Sequence, residues 1–253
     1  MSDYEVVVLK PGYAEWTGTA EQRADGTITL IKGPNNIVVD TGGIVNRNRI
    51  PKLLRAHGLQ PADINYVVCT HGHPDHCGNN NLFQEATIIF GNDVVKGDLF
   101  SLHHMEKGQS YDIDDDVRVV PTPGHTYDDC SVVVKTNDGV YVIAGDIFEN
   151  KHDQQDPNLW RSFSCNKDLQ EQSRQKILKM ADYIVPGHGD VFAARASRPL
   201  PARSAVDNQT PPKVEERPSD DGVKGIKTRL MWSIVVPLVL AIISGVIVFN
   251  LTH

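Results

Sequence analysis

Four side chains that can bind metal ions fall within residues 71–76, directly after a short apolar segment. The segment Tyr66–Cys69 is typical of a strand, and it leads into Thr-His-Gly-His-Pro-Asp-His at 70–76. Neither a strand nor a helix can turn all four toward one point, because their side chains repeat every 2.0 and 3.6 residues. A loop bent by glycine and proline at the end of a strand can fold them around an ion. The candidate ligands here are His71, His73, Asp75 and His76.

Three later segments show a related pattern, in which a ligand-type side chain next to a glycine follows an apolar, β-rich run. They are Pro-Gly-His-Thr at 123–126, Ala-Gly-Asp at 144–146 and Pro-Gly-His-Gly at 186–189. Glycine allows the backbone to approach a neighbour closely. Each motif alone is commonplace, but their recurrence at strand ends adds three candidate ligands, which are His125, Asp146 and His188.

The ligand types constrain the ion. Imidazole and carboxylate together favour zinc, iron or manganese over the chemistry of soft thiolates. Placing so many titratable groups together without an ion would cost several kcal/mol in repulsion and desolvation. The other histidines lack such a context and are interpreted as surface or hydrogen-bonded residues, namely His57, His103, His104, His152 and His253.

The elements around these motifs alternate between short strands and helices. Residues 131–136 and 140–144 predict a hairpin with its turn at 137–139, and the stretches 49–57 and 167–180 predict helices. Such alternation favours a layered α/β fold, although the pattern alone does not give the topology.

In these motifs and in their order, the chain resembles the metallo-β-lactamase superfamily. The resemblance covers residues 1–196 and implies an α/β (α+β layered) fold, the αββα metallo-β-lactamase sandwich, with the ligand loops along one edge. It implies one metal ion held by His71, His73 and His125, a second held by Asp75, His76 and His188, and Asp146 bridging the two.

The resemblance implies a metal-dependent hydrolase. Two cations ~4 Å apart can share a water, lower its pKa toward ~7 and yield a metal-bound hydroxide as the nucleophile. Asp75, beside that water, is the predicted catalytic residue, which orients the water or takes its proton. We expect two divalent metal ions, with zinc preferred and iron or manganese left open.

Three stretches, 6–42, 70–83 and 124–134, resemble the metallo-β-lactamase domain-containing protein 1 family, which is described as an endoribonuclease acting at the 3′ end of histone pre-mRNA. RNA is therefore the predicted substrate. Other substrates and roles stay open: a glyoxalase II-like hydrolase of a glutathione thioester, a persulfide dioxygenase with one iron, and a non-catalytic membrane-tethered adaptor with structural metals. A homodimer is also left open.

Charge bears on the RNA hypothesis. The formal net charge of −7 argues against a protein that coats nucleic acid through a broad basic surface. The acidic run Asp112–Asp116 would repel RNA if it faced the cleft, and our preferred interpretation is a solvated loop away from the site.

The C-terminal part has a different composition. Leu230–Phe249 contains no charged residue, and about 20 apolar helical residues span the ~30 Å core of a bilayer. This predicts a transmembrane anchor at 230–251, preceded by a proline-rich linker with a basic juxtamembrane segment at 197–229. The basic flank predicts a tail anchor with the catalytic unit, residues 1–196, in the cytosol. The family resemblance itself suggests the cytosol or nucleus.

Overall fold

The computed structural model describes residues 2–195 and 198–200, which fall in the first of the two compact units of the chain. Its strands are β1 (Glu5–Lys10), β2 (Tyr13–Trp16), β3 (Gln22–Asp25), β4 (Ile28–Lys32), β5 (Ile37–Val39), β6 (Tyr66–Cys69), β7 (Thr87–Phe90), β8 (Asp93–Lys96), β9 (Leu99–Leu102), β10 (Tyr111–Asp112), β11 (Val117–Pro121), β12 (Cys130–Thr136), β13 (Gly139–Gly145), β14 (Tyr183–Pro186) and β15 (Phe192–Ala193). Its α-helices are α1 (Ile50–Ala56), α2 (Pro74–Cys77), α3 (Asn158–Arg161) and α4 (Lys167–Met180).

The strands of the described residues form two large sheets and a separate hairpin. The first sheet has the order β1-β4-β5-β6-β7-β8-β9, and the second has the order β10-β11-β12-β13-β14-β15. Strands β2 and β3 form the hairpin. Each large sheet combines antiparallel edges with a parallel pairing in its interior, β5-β6-β7 in the first and β13-β14 in the second.

The two sheets pack face to face over a shared apolar core. Val68 and Ile89 of the first sheet belong to the same buried cluster as Val132 and Val185 of the second. Along the inner strands, alternate side chains supply this layer, while the residues between them, such as Val67 and Ile184, point to the outer faces.

Helices cover the outer faces of both sheets. Leu54 of α1 packs in a cluster with Val67 of β6, and Ile177 of α4 packs in a cluster with Ile184 of β14. The four layers are therefore helix, sheet, sheet and helix. The predicted αββα sandwich is confirmed for the described residues.

Strand direction brings the ligand motifs to one edge. Strand β11 runs antiparallel to β12 and β12 antiparallel to β13, so β11, β13 and β14 end on the same side of the second sheet. The main-chain N–H of Cys130, at the start of β12, donates to the carbonyl of Thr70, just after β6, at 2.9 Å. This bond joins the ligand edges of the two sheets.

Most of the predicted elements are confirmed, with small shifts at their ends. The helix predicted at 49–57 spans Ile50–Ala56, and that predicted at 167–180 has those bounds. The predicted hairpin is β12-β13, but its turn is shorter than expected, because Gly139 pairs with Thr136 as part of the ladder.

The predicted membrane anchor at 230–251 lies outside the described residues, as does the predicted linker at 197–229 except for 198–200. Within the described ranges, no helix combines the length and the apolar character needed to cross a bilayer.

Candidate metal centre

All seven candidate ligands lie at the shared edge of the two sheets. Their ligand atoms form groups in which every pair of atoms is within 4.8 Å: His71, His73, His125 and Asp146 in one, and Asp75, His76 and His188 in another. A third group, Asp146, Glu149 and His188, shares a residue with each of these two. Five histidines are interpreted from the sequence as surface or hydrogen-bonded residues, and four of them lie in the described part of the chain. None of these four belongs to the ligand groups.

Three imidazoles form the first ligand set. His71 Nε2 lies 2.9 Å from His73 Nδ1, and His125 Nε2 lies 3.0 Å from the same atom. Nitrogen ligands around a tetrahedral zinc ion stand about 3.3 Å apart, given Zn–N bonds of about 2.0–2.1 Å. The three ring nitrogens thus converge at close to the spacing that a small cation requires.

The second ligand set comes from the short helix α2 and from the loop after β14. Asp75 Oδ2 lies 3.8 Å from His76 Nε2 and 3.8 Å from His188 Nε2. The Asp75 side chain is 23% exposed, whereas that of His76 is fully buried. Asp75 is therefore the carboxylate of this set that solvent can reach.

Asp146 stands between the two sets. Its Oδ2 lies 3.4 Å from His125 Nε2 in the first set and 3.3 Å from His188 Nε2 in the second, and its Oδ1 lies 3.1 Å from His76 Nε2. Burial acts to raise the pKa of Asp146, but the charges of the surrounding histidines outweigh it and hold that pKa well below its usual value. Asp146 is therefore anionic at neutral pH and placed to serve both sets.

Unpaired buried atoms show that the cluster is incomplete without a cation. His76 Nε2 and Asp146 Oδ1 are buried and lie 3.1 Å apart, but neither forms a hydrogen bond of acceptable geometry with any described residue. Buried polar atoms without partners are costly in a protein interior. Imidazole nitrogens and carboxylate oxygens are ligands for divalent metals, so the residues present fit such an ion.

The protonation states support the same conclusion. Burial lowers the pKa of His71 well below its usual value and that of His125 to about 4, so both are neutral and can offer a lone pair. Burial also acts to lower the pKa of His76, but the charges of Asp146 and Asp40 outweigh it and raise that pKa. This buried pocket therefore favours a positive charge, which a cation would supply.

Asp40, which the sequence reasoning missed as a site residue, orients His76. Its Oδ2 lies 2.8 Å from His76 Nδ1, and its Oδ1 accepts from the main-chain N–H of Thr70 at 2.7 Å. Asp40 adopts φ = 57°, an unusual backbone conformation for a residue other than glycine. Its place directly after β5, at the same sheet edge as the ligand loops, is the sequence signal that could have identified it.

A second carboxylate anchors the loop beside Asp75. The buried Asp25 pairs with Lys10 Nζ at 2.9 Å and accepts bonds from the Gly43 main-chain N–H and the Asn46 side chain, both at 2.8 Å. The loop 42–46 is thereby fixed against β3, at the border of the second ligand set.

Glu149 is a third residue that the sequence reasoning missed. It is only 6% exposed, and its carboxylate lies 3.9 Å from His125 Nδ1 and 4.0 Å from His188 Nε2. Burial, with the charges of Asp146 and Asp153, raises its pKa well above the usual value, and nearby cations would act in the opposite direction. No strand-end pattern marks this position, because tertiary packing alone turns it toward the ligands.

The acidic run lies away from the metal centre. Asp112–Asp116 precedes β11, whereas the ligand loop with His125 follows that strand. Asp114 accepts bonds from Tyr4 and Asn35, and Asp112 pairs with Arg118. The run is thus at the other end of β11 and is partly neutralised there, as the preferred interpretation expected.

Gly187 provides a test of how tightly Asp146 is held. A Cβ at Gly187 would lie 1.8 Å from Asp146 Oδ1, so Gly187→Ala must displace that carboxylate. We expect the affinity for Zn²⁺, measured by competition with a chromophoric chelator, to fall about 10- to 100-fold. Gly189→Ala is the matched control, since its nearest neighbour would be 3.5 Å away. Equal affinities in the two variants would contradict this packing.

Comparison with known proteins identifies the family. The profile of the metallo-beta-lactamase superfamily matches residues 23–89. Metallo-beta-lactamase domain-containing protein 1 of Xenopus laevis is 41% identical over 194 residues, which cover 76% of this chain and 82% of that protein. The chain belongs to the metallo-β-lactamase superfamily. Within it, the predicted resemblance to the metallo-β-lactamase domain-containing protein 1 family is confirmed.

Two more distant relatives agree. A probable metallo-hydrolase of Methanocaldococcus jannaschii is 31% identical over 156 residues, covering 60% of this chain and 70% of that protein. The crystal structure of a putative metallo-beta-lactamase from Thermotoga maritima superposes with a TM-score of 0.58 at 20% identity, covering 76% of this chain and 99% of that one. The chain thus has the metallo-β-lactamase fold, and its family membership and its His/Asp cluster make it a metal-dependent hydrolase.

Proposed function

We propose that this chain is a hydrolase with two divalent metal ions, preferentially zinc, that cleaves RNA phosphodiesters as an endoribonuclease. The observation that carries the proposal is the position of Asp146, whose oxygens lie within 3.4 Å of histidines from both ligand sets. A carboxylate shared in this way is suited to hold two cations side by side. Paired cations provide an activated water and neutralise charge on a phosphodiester during in-line displacement.

The residues of the chain have two roles in this proposal, metal binding and orientation of the attacking water. His71, His73 and His125 would hold one ion, and His76 and His188 would hold the other with Asp75. Asp75, the more exposed carboxylate of the centre, would orient the attacking water and accept its proton. Asp146 is almost fully buried, which suits a bridging ligand better than a proton acceptor in contact with solvent.

The surroundings of the centre support a single-stranded nucleic acid as substrate. Tyr127, two residues after His125, is 68% exposed, and Trp16 on the β2-β3 hairpin is 61% exposed. Arg47 directly follows the loop 42–46 that borders Asp75 and is also exposed, and its guanidinium donates to Asn81 Oδ1 at 3.2 Å. Proteins that bind single strands combine aromatic surfaces for the bases with cations for the backbone. The resemblance to a family described as endoribonucleases supports the same substrate.

The test uses the full chain loaded with Zn²⁺ and a labelled single-stranded RNA containing a histone pre-mRNA 3′ region. We expect internal cleavage, with at least about a 100-fold loss of rate in His73→Ala. His104→Ala is the matched control, since His104 lies outside the ligand groups. Turnover of S-lactoylglutathione without RNA cleavage would replace the proposal with a thioester hydrolase. A single bound iron would instead favour a persulfide dioxygenase.

A further inference from the structure

Four of the five metal-centre histidines turn Nε2 toward the cluster, which leaves Nδ1 to face an outer partner; the fifth, His73, turns Nδ1 inward. Among these four, the outward-facing Nδ1 atoms follow a rule with one exception. In three of them Nδ1 has an oxygen nearby: 3.1 Å from His71 to Thr70 Oγ1, 2.8 Å from His76 to Asp40 Oδ2, and 3.4 Å from His188 to the carbonyl of Asp25. An acceptor at Nδ1 fixes both the tautomer and the orientation of a ligating imidazole.

His125 is the exception. Its Nε2 points into the first ligand set, 3.0 Å from His73 Nδ1. Its Nδ1 is buried and has no hydrogen-bond partner within the described part of the chain. Glu149 Oε1 lies 3.9 Å from this nitrogen and is itself buried without a partner. A donor and an acceptor that both lack partners thus face each other across a gap slightly too long for a hydrogen bond.

The backbone of Glu149 is held in place by two hydrogen bonds. A small rotation of its side chain would therefore be enough to bring the carboxylate to His125 Nδ1. The main-chain N–H of Glu149 donates to Asp153 Oδ2 at 2.8 Å, and its carbonyl accepts from the main-chain N–H of His188 at 2.8 Å. These bonds hold the carboxylate between a histidine of the first set and one of the second. Closing the gap to His125 would satisfy two buried groups at once.

We propose that Glu149 is a positioning residue for the metal ligand His125. Its carboxylate accepts a hydrogen bond from the Nδ1–H of His125 and holds Nε2 toward the cation shared with His71 and His73. This inference rests on the two-cation site of the proposed function but does not depend on RNA as the substrate. It gives His125 the outer partner that the other three histidines already have.

The first test is a titration of the metal-free full chain with Zn²⁺, by competition with a chromophoric chelator. In Glu149→Ala, we expect one of the two Zn²⁺ affinities to fall about 10- to 100-fold and the other to stay within about twofold. Glu149→Gln keeps an oxygen acceptor without the charge and should lose less. Glu106→Gln is the matched control, because Glu106 lies 2.9 Å from His104 Nδ1 on the surface.

A second measurement reports on the hydrogen bond itself. In the Zn²⁺-loaded protein, a long-range ¹H–¹⁵N spectrum should show the His125 Nδ1–H protected from exchange, and Glu149→Ala should remove this protection. Unchanged Zn²⁺ affinities and an unchanged His125 signal would overturn the proposal. Complete loss of one Zn²⁺ would also overturn it, since Glu149 would then be a ligand. If Glu149→Ala does not fold, Glu149→Gln decides between these outcomes.

These experiments are separable from the tests of the proposed function. Failure of the wild-type chain to cleave RNA would overturn the substrate assignment and leave the Zn²⁺ titrations interpretable. Failure of the wild-type chain to bind two Zn²⁺ ions would overturn the two-cation site itself.

Discussion

Replacing Asp146 with asparagine is expected to lower the hydrolytic rate by at least about 10³-fold. The same change should reduce the bound metal, measured by inductively coupled plasma mass spectrometry, below two ions per chain. Asp146 contacts histidines of both ligand sets, so its charge is needed at the point where the two proposed ions would meet. Asparagine keeps the shape of the side chain but provides neither the negative charge nor two equivalent oxygens.

The control for this prediction is Asp128→Asn, which removes a carboxylate from an exposed position three residues after His125. We expect the control to keep both ions and the full rate. Retention of two tightly bound ions and normal turnover in Asp146→Asn would show that the two sets do not share this carboxylate. Circular dichroism of the metal-free variants would separate a loss of metal from a loss of fold.

The second large effect is on stability. Asp153→Asn should lower the free energy of unfolding by about 3–5 kcal/mol, because it leaves the buried Arg174 without its charge partner. Asp153 is fully buried and contacts Arg174 through two bonds of 2.8 and 3.0 Å. The guanidinium also lies over the ring of Phe148, 4.0 Å from its centroid. Urea denaturation of the metal-free chain would measure the change.

A surface pair provides the comparison for Asp153. Asp112 and Arg118 are 3.1 Å apart, but both side chains are more than half exposed. Asp112→Asn should therefore cost less than about 1 kcal/mol. Similar losses for the two variants would contradict the view that burial determines the size of the effect. The double variant Asp153→Asn with Arg174→Met should recover part of the loss, since no unpaired charge then remains buried.

Much of the centre could be predicted because its ligands follow strands directly. Cys69 and Pro186 end β6 and β14, and the histidines appear within two residues of those ends. In a sandwich of this kind, chain direction places such ends on a common edge. The ligand positions can therefore be predicted from the local sequence pattern and the strand direction alone.

The parts that could not be predicted lack a local signal. The β2-β3 hairpin is largely exposed and does not alternate between apolar and polar residues, so no period of two marks it. Glu149 is a carboxylate like many others in the chain until packing brings it within 3.9 Å of His125. Asp40 has its position directly after β5 to mark it, but only packing brings it within 2.8 Å of His76. Such contacts between residues distant in sequence arise only in the folded chain.

By itself, the sequence determined the ligand types, the strand-end loops that carry them and the layered class of the fold, because these depend on residue chemistry and short-range periodicity. The tertiary structure alone decided which nitrogen of each histidine faces the centre, that Asp146 stands between the two ligand sets, and that Glu149 faces His125. The physical reason is that sheet pairing and core packing set distances between segments far apart in the chain, and at a metal centre differences of an ångström decide which atoms can bind.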